Sequence, residues 1–151
     1  FDSNLSYGED HIFCLEYLNC CSQISISSHT GYHYIHQNIE SLTNKIIPID
    51  NLYYYLKKFT EQSYKFSNKA NIKNHTLRVN ERSYSTIKRV IINSVQTNNV
   101  VYLKHSKRLC RFAGTKYLKL PQIGLILMFK YMPSTLVYFI FRTFNKWIAG
   151  K

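Results

Sequence analysis

The 151-residue sequence predicts an α/β arrangement in its first third, followed by a mainly helical remainder. Three observations carry this expectation. Residues 9–21 place Cys14, Tyr17, Leu18 and Cys21 at i, i+3, i+4 and i+7, which is one apolar stripe of a helix. Residues 22–28 alternate Ile24 and Ile26 with serines, as a half-buried strand does, and beyond the turn His29-Thr30-Gly31 residues 32–37 form a second β-rich run. From residue 50 onward the apolar residues recur every three or four positions, and the expected elements are helices.

Taken in order, Asp50 is placed to cap a helix whose buried stripe is Leu52, Tyr55, Leu56 and Phe59. Residues 67–74 are polar and basic and read as a loop. Asn80 is placed to cap a second helix that turns Tyr84, Ile87, Val90 and Ile91 inward, and a third runs over 101–113 with Gly114 as its stop. Residues 123–129 are apolar apart from Gly124. After Lys130 and Pro133, Ser134 can cap a last helix carrying Leu136, Val137, Tyr138, Phe139, Ile140, Phe141, Phe144, Trp147 and Ile148. Three regions follow from these changes of character: 1–48, a basic helical region over 49–113, and amphipathic C-terminal helices over 114–151.

Composition narrows the function classes. With 45% hydrophobic and 19% charged residues the chain can bury a core, which excludes a wholly disordered protein. Four cysteines without a C-x-x-C pair exclude both a disulfide miniprotein and a zinc knuckle. Cys14 and Cys21 are expected as buried thiols on the helix stripe and Cys110 as a core residue, in keeping with a reducing, cytoplasmic setting. No apolar run reaches the roughly 18 to 20 residues that a membrane-spanning helix needs.

The net charge of +12 is unevenly spread. Residues 1–50 carry six carboxylates against Lys45, a net −5, whereas the remainder carries nineteen Lys and Arg against Glu61 and Glu81, a net +17. A polyanion is the expected partner of the basic part. Trp147, the tyrosines and phenylalanines of the last helix, and Lys130, Arg142, Lys146 and Lys151 suit an element lying in the headgroup region of an anionic membrane.

The chemistry points to the other end. Gly8 precedes two adjacent carboxylates, Glu9 and Asp10, at a helix start, where the helix dipole keeps a carboxylate ionised and oriented as a general base requires. The wider order is Phe1, Leu5, Tyr7-Gly8-Glu9-Asp10, Phe13, Leu15, Tyr17-Leu18, a strand, Tyr32-x-Tyr34 and then Ser41-Leu42-Thr43. This set closely resembles the second half of the catalytic domain of family 2 inverting glycosyltransferases.

The resemblance implies the acceptor-side part of a GT-A nucleotide-diphospho-sugar transferase fold over residues 1–48. It implies transfer of a sugar, with inversion, from a nucleotide-sugar donor to a glycan or lipid-linked acceptor in bacterial polysaccharide biosynthesis. Asp10 stands at the place of the catalytic base and Glu9 at the neighbouring acid that orients the acceptor. His36 and Ser41 lie in the segment that closes over the donor diphosphate. The family's Asp-x-Asp pair, which carries a divalent metal (Mg or Mn), belongs to a nucleotide-binding half upstream of these motifs, so the chain is expected to be the C-terminal portion of the enzyme. Its expected place is the inner face of the cell membrane, held there peripherally.

The alternative is a non-catalytic nucleic-acid-binding or ribosome-associated protein. It draws on Lys104, Lys107, Arg108, Arg111, Lys116 and Lys119 interleaved with Tyr102, Phe112 and Tyr117, the residue types that neutralise phosphate and stack on bases. It leaves the acidic first third and its motif order without a role, and nucleic acid is therefore not the expected partner.

Overall fold

Two long amphipathic helices set the architecture. In the computed structural model, which describes Leu5 and residues 7–23, 46–72 and 75–149, α2 (Ile49–Lys69) and α3 (His75–Gln96) follow α1 (Glu9–Cys20). They are succeeded by α4 (Val100–Ser106), a 3-10 helix (Lys107–Phe112), α5 (Leu120–Tyr131) and α6 (Ser134–Ala149). The apolar spacing of α2 buries Leu52, Tyr55 and Leu56, with Phe59 half-buried beside them, and that of α3 buries Ile87, Val90 and Ile91. Around this pair close Leu103 of α4, Leu109 of the 3-10 helix, Ile126 and Phe129 of α5, and Val137 and Tyr138 of α6. One continuous core results, and it includes Leu5 and Ile12 at the N-terminal end.

Helix α3 is central and touches α2, α4, α5, α6 and the 3-10 helix. Small polar residues on its buried side make that possible, since each satisfies itself or a neighbouring backbone group. Ser94 donates to the Val90 carbonyl and Thr86 to that of Arg82, whereas Ser83 donates to the Phe112 carbonyl. Asn80 is not the helix cap that the sequence suggests. It sits inside α3, buried, where its amide donates to the Lys116 carbonyl and accepts from the Gly114 N–H, stapling the 114–116 loop to the helix. Asn99 is the cap of α4, accepting from the Tyr102 N–H at 2.9 Å. Asp50 lies in the first turn of α2 behind Pro48 and pairs with Arg108 of the 3-10 helix.

The α/β, GT-A expectation is overturned: among the described residues there is no strand. The layer against α1 is helix α2, because the apolar residues of α2 repeat with a helical period and present a ridge rather than a pleated face. The predicted strand residues 24–28 and 32–37 lie outside the described residues.

The stripe assigned to α1 is also corrected. Cys14 and Tyr17 are exposed and Cys21 is half-buried, whereas the face that meets α2 runs through Gly8, Ile12, Leu15 and Asn19. Polar contacts set that register. The Asn19 side-chain amide donates to the Gln62 carbonyl and to Gln62 Oε1, at 3.2 and 2.9 Å, and Lys69 donates to the Asn19 and Cys21 carbonyls at the C-terminal end of α1. Cys110 is half-buried against the core, and burial pushes its thiol up from the usual range. No helix among the described residues is long and apolar enough to cross a membrane.

Candidate functional site

The site is built where α1 begins. Gly8 holds φ at +69°, and a Cβ there would fall inside contact distance of the Tyr55 ring, so only glycine fits both the turn and the approach. That turn starts α1 with Glu9 and Asp10 in its first turn. Asp10 is exposed, and its Oδ1 accepts from the His11 N–H at 2.8 Å. Glu9 is half-buried beside it.

Beneath this turn lies a network of rings and guanidinium groups. Tyr7 and Tyr55 pack edge to face with centroids 5.1 Å apart. Arg82 of α3 lies over the Tyr55 ring at 5.1 Å, and its Nε donates to the Tyr55 hydroxyl at 2.6 Å. Arg89 lies over Tyr7 at 5.5 Å and donates to its hydroxyl. The Tyr55 hydroxyl is 3.2 Å from His11 Nδ1, and Arg82 Nη2 is 3.1 Å from the same nitrogen. A guanidinium only donates, so Nδ1 must accept and Nε2 carries the ring proton.

Burial pushes the Tyr55 phenol up to about 12; the Arg82 charge and hydrogen bond pull the other way, and the Tyr7 and Asp10 charges add to the rise. Asp10 is therefore near enough for its charge to be felt at the buried hydroxyl.

Of the residues singled out in the sequence, the structure brings Glu9 and Asp10 to this corner. His36 and Ser41 lie outside the described residues. Among the described residues no three of His, Cys, Asp and Glu come together to hold a metal ion. His11 Nδ1 faces two donors, the Tyr55 hydroxyl and the Arg82 guanidinium, so this nitrogen is not open to a metal ion.

Sequence reasoning passed over Tyr55, Arg82 and Arg89 as site residues. A signal was present: Arg78, Arg82 and Arg89 fall at i, i+4 and i+11, one face of α3. The basic run over 104–119 is less suited to stacking than its sequence suggests. Tyr102 donates to the Ile47 carbonyl and Phe112 packs on Tyr53, both half-buried, which leaves Tyr117 as its exposed ring.

Comparison with protein-family models, with curated proteins and with solved structures finds nothing similar to it.

Proposed function

We propose that this chain is the acceptor-side portion of an inverting, nucleotide-sugar-dependent glycosyltransferase in which Asp10 is the general base. The observation that carries the reading is the state of that carboxylate. It stands exposed in the first turn of α1, at the positive end of the helix dipole, with Oδ1 tied to the backbone and no hydrogen bond to Oδ2 among the described residues. A carboxylate so held is oriented yet open to an incoming hydroxyl. The acceptor O–H gives its proton to Asp10 as its oxygen bonds to the anomeric carbon, and the bond from that carbon to the nucleoside diphosphate breaks, its electron pair leaving with the diphosphate. One in-line displacement inverts the centre. Glu9 orients the acceptor, and His36 and Ser41 are assigned to the donor diphosphate.

A divalent ion (Mg or Mn) would neutralise the departing diphosphate, and its ligands are expected outside the residues described. Support comes from the corner and from the order of motifs around it; a sheet is no part of it. In the enzyme joined to its donor-binding half, Asp10→Asn is expected to lower transfer by about 10²- to 10⁴-fold while donor binding is kept. Transfer close to wild type removes Asp10 from the mechanism.

The enzyme is further proposed to lie peripherally on the inner, cytoplasmic face of the membrane through its C-terminal helices. Along α5, Leu120, Gly124, Leu127 and Tyr131 form an exposed stripe at i, i+4, i+7 and i+11, with Leu120 84% and Tyr131 71% exposed. Lys119 and Lys130 flank the stripe, Arg142 is exposed on α6, and the sequence has no Asp or Glu after Glu81. Apolar area and unopposed positive charge together are the two signals that hold a protein on anionic lipid. Flotation with anionic vesicles and none with neutral ones is the expected result. Binding to nucleic acid that falls steeply with salt, without flotation, would favour the non-catalytic alternative.

A further inference from the structure

Among the described residues, three that are not glycine hold a left-handed backbone: Asn71, Asn98 and Tyr117. Asparagine enters that region readily, whereas a bulky ring there is an outlier. Tyr117, at φ +68°, sits in the loop before α5, and the chain is pinned on both sides of it. The buried Asn80 donates to the Lys116 carbonyl at 2.9 Å and accepts from the Gly114 N–H at 3.0 Å. The Leu118 N–H closes the turn onto the Thr115 carbonyl at 3.3 Å, and the Leu118 side chain joins the core.

Burial does not offset the strain. Tyr117 is 52% exposed, with Lys116 Nζ over its ring at 4.9 Å. Glycine or asparagine would make the same turn with less strain, so what the tyrosine adds is a ring displayed outside the core. Strain without such compensation points to a role for the displayed group. Three positions on, Leu120 opens α5 and is 84% exposed, and Lys119 between them is exposed as well. The Cα atoms of Tyr117 and Leu120 lie at most about 11 Å apart, so Lys116, Tyr117, Lys119 and Leu120 make one patch. No Asp or Glu follows Glu81 in the sequence, and Glu81 itself lines a groove with His11, Arg78 and Arg82.

We infer that the 115–118 turn is a preset anchor for an anionic phospholipid bilayer, in which the Tyr117 ring and Leu120 enter the headgroup region and Lys116 and Lys119 meet the lipid phosphates. The inference rests on the peripheral-membrane reading above and assigns it a second element, ahead of the α5 stripe. A tyrosine suits the boundary because its ring is apolar and its hydroxyl stays wet. Folding has already fixed the turn, so docking need not order it. A stacked nucleic-acid base would use the ring and the lysines but leave Leu120 in water, whereas a bilayer engages all four side chains.

The test is co-sedimentation of the 151-residue chain with mixed phosphatidylglycerol and phosphatidylcholine vesicles, with phosphatidylcholine alone as the neutral arm. Tyr117→Asn is expected to weaken partition about three- to tenfold and Lys116→Gln about fivefold, whereas Tyr117→Trp should partition as wild type does. Asparagine relieves the left-handed strain, so the thermal midpoint of Tyr117→Asn should stay level or rise by up to about 4 °C. A midpoint that falls by several degrees makes the ring structural and overturns the anchor. Wild-type partition in Tyr117→Asn, or the same loss in Tyr117→Trp, overturns it too.

Leu127→Ser reads the α5 stripe separately. Loss in that variant with none in Tyr117→Asn keeps the membrane reading and removes the turn from it. Absence of wild-type partition onto anionic vesicles overturns both. Binding to single-stranded oligo(dT) that Tyr117→Asn abolishes, without partition onto vesicles, reassigns the ring to base stacking and overturns the anchor.

Discussion

The corner where α1 meets α2 and α3 carries half-buried charge, whereas the charge on α5 and α6 is exposed. At the corner, Arg82 and Arg89 are spent on rings and hydroxyl groups, and a glycine, two tyrosines and a histidine hold one another in a single arrangement. On the C-terminal pair, Lys119, Lys130 and Arg142 are exposed, Lys130 over the exposed ring of Tyr131 and Arg142 over the buried ring of Tyr138. The first region is preorganised, because ordering its groups has been achieved by folding. The second is an exposed apolar and cationic surface, the kind on which the membrane proposal rests. Substitutions should therefore be felt as stability at the corner and as affinity at the C-terminal pair.

The largest effect is expected from Gly8→Ala. The left-handed turn costs alanine about 1–2 kcal/mol, and displacing Tyr55 adds about 1–3 kcal/mol of overpacking. Denaturant unfolding should show a loss of about 2–5 kcal/mol, and an unchanged midpoint would mean that the turn is not held as described.

Next is the response to alkali. The folded pKa of Tyr55 is raised to about 12, so its contribution is complete below its ordinary value near 10 and is lost as pH rises from about 10 to about 12. The wild type should lose about 2–3 kcal/mol over that window that Tyr55→Phe does not lose.

At the other region, Lys130→Gln should leave the unfolding midpoint unmoved and weaken binding to anionic vesicles by about 1 kcal/mol. A stability loss there in place of an affinity loss would erase the contrast. Smallest of all, Asp50→Asn breaks the pair with Arg108; that pair is solvent-exposed, and less than about 1 kcal/mol is expected.

Much of the helical part was legible because it is periodic. The stripes Leu52-Tyr55-Leu56 and Ile87-Val90-Ile91 fall where their spacing puts them, and Ser134 begins the last helix. Residues whose role depends on another element were misread. Asn80 looks like a cap in sequence, yet its partners are Gly114 and Lys116, more than thirty positions away. Cys14 and Tyr17 look like core, yet α1 is apolar on more than one side, and its register was decided by Gly8 against Tyr55 and by Asn19 against Gln62. The Glu9–Asp10 corner was visible as a local motif, whereas its ring and arginine support was not, since Tyr55 and Arg82 come from separate helices.

What the sequence determined alone is local: helix positions from spacing, a glycine turn before two carboxylates, and a basic C-terminal two-thirds with no acid after Glu81. These follow from the 3.6-residue period, from backbone sterics and from counting charge, none of which needs a partner element. Tertiary structure decided which face of α1 is buried, that its neighbour is a helix, and that Arg78, Arg82 and His11 share one groove. Those outcomes depend on packing and hydrogen bonds between residues distant in the chain, and only the closed core brings such residues within reach of each other.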